Sequence, residues 1–562
     1  MAMVKKSPEK ERKYIIVTGG PVSGLGKGTA AASIGKILSA NYNVVPIKYD
    51  GYLNADPDTQ NPKEHGEVYI LDDGRVADMD FGHYERFIGV SCKKEWSIVM
   101  GSTLAEMHEK ERNGEYQGQT IRYIPHVTDY LQQKIMGIGE KENADIVIVE
   151  IGGVPSQFEA LPGIEAVRRL KEKVGSSNIL YAHLTQIVYL KCTQEQKTGT
   201  AQKDLKELRE LGIVPDILIL RCDTSEMPLD DEKNSKKKKI ADASEINIES
   251  MIEAPDTKTI YEIPGNFYHG GLFDMIDDKL LNNKNKVSKQ RRLESKRLDE
   301  KMKEWELLVN KVQNPQNGSV KIAICGKYTE LKDSYASVRE ALTHAAANLD
   351  VKSEILWVDS KVIDHNPEKY LAGVDGLIVP GGYGNTGIEG MIQAIEYARE
   401  KNMPYMGLCL GLQLAVVEFA RNVCKLEFAH STEFNRGTKH PVINLIDSQK
   451  SEQKMGGTQR AGAQTAILTQ GTLVQKLYKN DECTERHRHR WEVNPEYHQA
   501  LIQGGLLLSG MSPDGKLVEF IELPSHPFFV ASQAHNELKS RLETPNPLFY
   551  GFVEAALKHR KA

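Results

Sequence analysis

Cysteine is scarce in this 562-residue sequence: there are seven, an odd number, scattered along the chain. That excludes a disulfide framework and points to a reducing compartment. No apolar run approaches the ~18 residues that a membrane span requires. Met1 to Lys13 is polar and charged and lacks the apolar core of a secretory signal. A basic excess is missing too: the formal net charge is −5, which argues against a surface that coats nucleic acid. Internal repeats and low-complexity tracts are absent. The expected location is therefore cytoplasmic, with neither membrane nor nucleic acid as partner. What is present is an ordinary core-forming composition, 40% hydrophobic and 7% aromatic. The length suits roughly two to four domains.

Apolar runs at Tyr14–Val17, Val44–Ile47, Val68–Leu71 and Ile146–Ile151 alternate with helical stretches. Two more follow at Ile179–Leu184 and Ile217–Leu220. The alternation predicts a parallel α/β sheet whose ligands gather at the carboxyl ends of the strands. Asp277 to Glu306 is charged and helical and Asn314 to Gly318 is turn-rich, so residues 277–318 read as a linker. A second α/β pattern starts at Val320, with strands at Val320–Cys325 and Ile355–Val358 and a helix over Ser334–Asn348. The expected fold is thus two doubly wound, mainly parallel-sheet α/β domains. They cover residues 1–276 and 319–562, joined by the helical linker.

The first domain is organised around Gly19-Gly20-Pro21-Val22-Ser23-Gly24-Leu25-Gly26-Lys27-Gly28-Thr29, between a strand and the helix-like run Ala30–Leu38. Glycines let the backbone approach an anion, and N–H groups at a helix start point at it. Lys27 adds the point charge that β/γ-phosphates need. The loop is one residue longer than the standard P-loop between Gly20 and Gly26, and Gly28 stands where Ser or Thr would follow the lysine. A nucleotide phosphate calls for a divalent cation, and Mg²⁺ takes one or two carboxylates. Asp80 and Glu150 are the candidates; Glu150 ends a Val/Ile strand, where a buried acid is costly unless paired or on a metal. Lys48, at another strand end, is a second candidate phosphate contact. The run Lys236–Lys239 reads on composition alone as a solvated face.

In the second domain, Gly407-Leu408-Cys409-Leu410-Gly411 is a nucleophile-elbow pattern with cysteine in place of serine. A sharp strand-to-helix turn needs small neighbours and leaves the sulfur exposed at a helix N-terminus, where a thiolate is favoured. Such a nucleophile needs a histidine base and an orienting group. His535 and Glu537 follow an apolar run near the end; on an extended segment, side chains two apart share a face. Gly381 and Gly382, after a strand, supply candidate oxyanion donors.

The two halves, in this order, resemble the cytidine triphosphate synthase family, an ATP-using amidoligase fused to a class I glutamine amidotransferase. The resemblance spans nearly the whole chain. It rests on both loops above and on Lys48-x-Asp50-x-Tyr52-x-Asn54, His65-Gly66-Glu67-Val68, Gly82 to Phe87, Ile124-Pro125-His126 and Val149 to Gly153. Further matches are Lys197-Thr198, Ser431-Thr432-Glu433-Phe434, Gly456-Gly457-Thr458-x-Arg460 and Glu485-Arg486-His487-Arg488-His489-Arg490.

This resemblance implies that ATP and Mg²⁺ phosphorylate the 4-oxygen of UTP, and that ammonia released from L-glutamine displaces the phosphate. It implies GTP as an allosteric activator, CTP as inhibitor, and assembly into homotetramers and filaments. By motif, Ser23, Gly24, Leu25, Gly26, Lys27, Gly28, Thr29, Lys48 and Asp80 would bind ATP, with Asp80 and Glu150 on Mg²⁺. Ser23, Gln157, Glu159, Lys197, Gln202 and Lys239 would face the uridine nucleotide. Cys409, His535 and Glu537 would form the catalytic triad. Gly382, Leu410, Gln413, Glu433 and Arg490 would bind glutamine. The chain departs from the family pattern in having Gln157 for an aspartate, Gly199 for a lysine, no basic residue in Val99-Met100-Gly101-Ser102, and no arginine in Gly384-Asn385-Thr386-Gly387. These departures leave two alternatives open: a paralogue that aminates a different pyrimidine-like nucleotide, and a regulatory or filament-forming protein whose ligase activity has decayed.

Overall fold

The structure is a computed structural model that describes residues 10–22, 24–54, 67–222, 235–281, 288–327, 329, 332–363, 366–445 and 460–561. Ser23, His65, Gly66 and Gly456 to Thr458, named above, lie outside the described residues. The chain divides into two compact units, Met1–Thr59 with His83–Leu307 and Gln60–Gly82 with Leu308–Ala562.

The first unit begins with β1 (Lys13–Gly19), α1 (Lys27–Leu38) and β2 (Val44–Asp50). The chain then forms a short antiparallel hairpin, β3 (Tyr69–Ile70) and β4 (Val76–Ala77), grouped with the second unit, and runs on into α2 (Asp80–Ile88). Then come β5 (Ser97–Val99), β6 (Ile146–Ile151), β7 (Ile179–Leu190), β8 (Glu195–Lys197), α3 (Gly199–Glu210), β9 (Ile217–Cys222) and β10 (Met251–Pro255). The sheet order is β10-β9-β7-β1-β6-β2-β5, all parallel, with β8 folded back antiparallel on the end of β7. Ile-Val-Ile-Val-Glu-Ile in β6 is buried throughout, the signature of a parallel sheet covered on both faces.

The run Val68–Leu71 does not supply the third parallel strand that alternation predicts. Asp72-Asp73-Gly74 turns the chain back at once: Gly74 has φ +82 and Arg75 N–H bonds Asp73 Oδ1 at 3.1 Å. The resulting hairpin is fixed within the second unit. Tyr69 O–H donates to Leu538 O at 2.6 Å, Arg486 Nε–H to Asp72 Oδ1 at 2.7 Å, and Ser337 N–H to Glu67 Oε2 at 2.9 Å. Burial opposes the ionised form of Asp72, but the Arg486 guanidinium holds its carboxyl below the usual range.

The charged helix α4 (Ser288–Gln313) has one apolar side, on which Leu298, Met302 and Trp305 are buried. Trp305 is wholly enclosed. Its ring lies 5.5 and 5.8 Å from Phe87 and Tyr261, its Nε1–H donates to Tyr261 O at 2.8 Å, and the Lys36 ammonium stands 4.4 Å over its face.

The second unit contains β11 (Ser319–Gly326), β12 (Lys352–Asp359), β13 (Gly376–Val379), β14 (Tyr405–Leu408) and α5 (Leu410–Asn422). Its later strands are β15 (Ala429–Ser431), β16 (His440–Leu445), β17 (Arg460–Leu468), β18 (Glu482–His489), β19 (Trp491–Val493), β20 (Leu507–Met511), β21 (Val518–Glu522) and β22 (Phe529–Ser532). The main sheet runs β12-β11-β13-β14-β22-β21-β20-β17-β18, parallel through β22 and antiparallel beyond; β15-β16-β19 form a small separate sheet. Among the described residues all seven cysteines are free thiols, and no helix is long and apolar enough to cross a membrane.

Candidate active sites

In the second unit, Cys409 occupies the junction between β14 and α5 at φ 50 and ψ −98, a conformation that L residues rarely adopt. Its flanking glycines are required sterically. A Cβ on Gly407 would stand 2.6 Å from the Tyr405 hydroxyl, and one on Gly411 would stand 2.1 Å from Val379 O. Cys409 is 7% exposed, more enclosed than an elbow at the surface, because the turn after β13 and the segment after β22 close over it. Gly381 touches both reacting side chains: its Cβ position is 2.7 Å from His535 Cε1 and 3.6 Å from Cys409 Cβ.

His535 Nδ1 and Glu537 Oε1 are 2.6 Å apart, and His535 N–H bonds Arg486 O at 2.7 Å. The pairing is not made by an extended strand. His535 sits at φ −101 and ψ 76, and Glu537 lies in the short 3₁₀ turn Asn536–Lys539, which folds the carboxylate back on the ring. Burial disfavours a charged imidazole here, but Glu537 and the Cys409 sulfur together raise the His535 pKa well above its ordinary value. The arrangement therefore favours a protonated imidazole held by a carboxylate beside the Cys409 sulfur, a geometry suited to acyl transfer through sulfur.

Around the triad, Gln413 is buried and donates from Nε2 to Trp491 O at 2.8 Å, and Leu410 opens α5. Burial pushes Glu433 up to about 7 against the opposing charges of Lys327 and Arg490. Glu433 therefore lies within reach of the charges of both Lys327 and Arg490. Lys327 was not expected there. It directly follows β11, burial pulls it down to about 8 against Glu433, its Nζ donates to Gly384 O, and it stands 5.3 Å from the Phe434 ring. A lysine at a strand end is the signal, the same one that singled out Lys48.

In the first unit the phosphate loop joins β1 to α1. Gly24 and Gly26 have φ +75 and +98, and α1 starts with no side-chain cap, so the helix N-terminus faces the loop without a capping side chain. Helix α1 begins at Lys27, earlier than the Ala30 expected, and includes Gly28 and Thr29. Lys27 Nζ donates to Gly153 O at 2.8 Å, and Leu25 O accepts from Arg221 Nη1 at 3.3 Å. Beside the loop, β2 and β6 place Lys48 and Glu150 in register, with Lys48 Nζ 3.3 Å from Glu150 Oε1 and the Tyr84 hydroxyl on the other carboxylate oxygen. Glu150 is 1% exposed. A buried carboxylate at a strand end beside a phosphate loop is a hard oxygen donor suited to Mg²⁺. Asp80 heads α2, within the segment grouped with the second unit, and its N–H bonds Asp78 Oδ1 at 2.9 Å. Among the described residues no group of three or more His, Cys, Asp or Glu converges on a point.

The expected uridine residues are partly gathered. Gln202 Nε2 donates to Lys239 O at 3.1 Å and to Thr198 Oγ1 at 3.3 Å. Lys197 is exposed and paired with Glu195. Gln157 folds onto its own loop, accepting from Val154 N–H at 3.1 Å, while Glu159 is exposed and its carbonyl meets the Tyr49 hydroxyl at 3.4 Å.

Comparison with known proteins decides the family. The family model described as CTP synthase N-terminus matches residues 13–281, and that described as glutamine amidotransferase class-I matches residues 330–555. A CTP synthase of Methanocaldococcus jannaschii is 46% identical over 556 residues, covering 98% of this chain and 99% of its own. One from Halalkalibacterium halodurans is 46% identical over 548 residues, 97% of this chain and 99% of its own. This chain belongs to the CTP synthase family. A solved glutaminase domain of Trypanosoma brucei CTPS, with bound acivicin, is 38% identical with a TM-score of 0.41, covering 42% of this chain and 94% of that one.

The basic run Glu485–Arg490 lies along β18 and the residue after it. Alternation along β18 would leave half of it solvated, yet Arg486, His487 and His489 are all buried. Arg486 serves the hairpin, and burial, with the nearby His489, Arg460 and His535 charges, drives the His487 pKa well below its ordinary value. Charged runs are normally read as solvated, so neither role is visible in the sequence.

Proposed function

We infer that this chain aminates UTP to CTP, using ATP to activate the pyrimidine and glutamine as the nitrogen source. The single observation that supports it best is the presence, in one polypeptide, of a carboxylate-held histidine beside a strained cysteine and of a lysine-bearing phosphate loop beside a Lys48–Glu150 pair.

In the glutaminase unit, the Cys409 sulfur attacks the γ-amide carbon of glutamine. His535, held by Glu537, gives a proton to the departing ammonia and then takes one from the water that frees glutamate. Gly381 and Gly382 offer backbone N–H groups to the oxyanion, and Glu433 and Arg490 bind the amino-acid ends of glutamine. In the ligase unit, α1 and Lys27 hold the ATP phosphates. Lys48 stabilises charge on the transferred phosphoryl group. Glu150 would hold a Mg²⁺ ion, which would offset phosphate charge when bound. Phosphorylation converts the 4-oxygen of uracil from a poor leaving group to a good one, and ammonia replaces it.

Gln202, Lys239 and Lys197 hold the acceptor. The reading extends, through the family resemblance, to GTP as activator, a homotetramer able to form filaments, and a cytoplasmic location; the missing arginine in Gly384-Asn385-Thr386-Gly387 weakens the GTP effect. A second reading has one specific support. At Gly199 an added Cβ meets no atom within 4 Å, so the lysine of the family pattern is missing from open space. On that second reading, a pyrimidine nucleotide with fewer phosphates would be the acceptor.

The test is incubation of the purified chain with ATP, Mg²⁺, glutamine and a panel of uridine nucleotides, followed by chromatography of the products. CTP from UTP is the expected result. Amination of only a mono- or diphosphate selects the second reading, and no aminated nucleotide from either glutamine or ammonia refutes both.

A further inference from the structure

Beneath the phosphate loop of the first unit lies a chain of buried polar side chains that no step above uses. Thr18 on β1, His183 on β7 and Asp204 on α3 are 2%, 0% and 1% exposed. Thr18 Oγ1 lies 2.8 Å from His183 Nδ1, and His183 Nε2 lies 2.9 Å from Asp204 Oδ2. Both ring nitrogens are thus engaged. The second carboxylate oxygen, Asp204 Oδ1, is buried and has no hydrogen-bond partner among the described residues. It is pressed against the loop: a Cβ on Gly20 would stand 2.3 Å from it. Gly20 N–H is in turn held by Leu184 O at 3.1 Å, next to His183.

The fold does not need this chain to set the strands. The β1–β7 ladder already fixes the register, with Thr18 opposite His183 and Gly19 opposite Leu184. An apolar filling would be at least as stable as a buried carboxylate and imidazole, so the polar chain calls for another reason. Its far end supplies one. Asp204 lies two residues after Gln202, in the helix that opens at Gly199 and whose first turn contacts Thr198 and Lys239. One helix therefore touches the phosphate loop at Gly20 and carries Gln202, which the preceding subsection assigns to the acceptor and which also contacts Lys239.

We propose that Asp204, held by His183 and Thr18, is a positioning residue that locks the phosphate loop to the acceptor helix, so that the ATP and pyrimidine-nucleotide sites are set together. This rests on the acceptor assignment of the preceding subsection. Linkage makes the effect reciprocal: each nucleotide strengthens the other's binding by the same factor.

The experiment uses the full chain and measures, by calorimetry, binding of a non-hydrolysable ATP analogue with and without UTP. Glutaminase activity and thermal unfolding report integrity. Asp204→Ala is expected to weaken analogue binding about tenfold and to bring the UTP effect down to none, with glutaminase intact; Asp204→Asn, which keeps the shape, recovers part of both. Gly20→Ala alone should abolish analogue binding, and adding Asp204→Ala to it should restore a measurable part, because the obstructing carboxylate is gone. Wild-type affinity and wild-type UTP dependence in folded Asp204→Ala overturn the proposal. If that variant fails to fold, wild-type affinity and wild-type UTP dependence in Asp204→Asn, or undiminished analogue binding in Gly20→Ala, overturns it. A wild-type chain that binds the analogue but no pyrimidine nucleotide refutes the acceptor assignment instead, while the Gly20 rescue still tests the contact.

Discussion

Replacing Gly381 by alanine is the sharpest probe of the glutaminase centre, because it adds one methyl group and little else. Gly381 is not among the glycines with positive φ, so alanine meets no backbone strain there. The methyl would stand 2.7 Å from His535 Cε1, where ordinary contact begins at 3.4 Å. One partner must retreat by roughly 0.7 Å. His535 is the less able to do so passively, since Glu537 holds its ring at 2.6 Å and Arg486 O holds its backbone at 2.7 Å. Any retreat lengthens its reach to Cys409 or breaks its tie to Glu537. A misplacement of that order costs about 10²-fold in rate when reacting groups must be aligned. Glutamate release should therefore fall about 10²-fold, while CTP formation from free ammonia stays near wild type, because the ligase chemistry is assigned to other residues. Thermal unfolding should hardly move. A folded Gly381→Ala protein that hydrolyses glutamine within twofold of wild type would remove Gly381 from the assembly of the triad.

Three further outcomes follow from other parts of the structure. Glu537→Gln removes an anion that raises the His535 pKa, so the imidazolium becomes easier to deprotonate; the alkaline limb of the glutaminase pH profile should move to lower pH, and kcat/KM should fall at least about tenfold. An unmoved limb contradicts the pairing. Trp305→Ala empties the pocket shared with Phe87, Tyr261 and Lys36 and should destabilise the first unit by about 3–5 kcal/mol in denaturant unfolding; a change below 1 kcal/mol would contradict its core role. Gly199→Lys places a cation in open space beside the acceptor residues and should lower the KM for UTP about tenfold; an unchanged KM means that no acceptor phosphate reaches that point.

Local signals carried much of the structure. The strand-to-helix turns at Lys27 and Cys409 were legible because each is written in consecutive residues: an apolar strand, glycines at fixed spacing, then a helix. Glu150 stood out because an acid at the end of a β-run is costly unless it has a purpose, and Lys48 and Tyr84 now show how the structure accommodates it. What failed depended on tertiary context. Val68–Leu71 has strand composition, but the Asp72-Asp73-Gly74 turn and the Arg486–Asp72 pair decide where it goes. Lys327 looks like any strand-end lysine until burial and Glu433 are in view. The tight packing of Gly381 against His535, and of Gly20 against Asp204, joins residues more than 150 positions apart, beyond the reach of any local pattern.

The two centres use one device for opposite ends. Each sets its key residue where a buried parallel strand gives way to a helix N-terminus, so that the reacting group meets oriented N–H donors at a fixed point. At the phosphate loop the flanking conformation belongs to glycines, Gly24 and Gly26, and the strain falls on residues that bear it at little cost. At the elbow it falls on Cys409 itself, and Gly407 and Gly411 are small for packing rather than for their own φ. The loop can thus adapt its backbone to an incoming phosphate, whereas the elbow holds a sulfur in one place against a packed interior. Substituting the glycines should separate the two designs. Alanine at Gly24 meets no neighbour and acts through φ alone, weakening ATP binding without unfolding the sheet; alanine at Gly411 drives into Val379 O and should damage the fold of the second unit along with its activity.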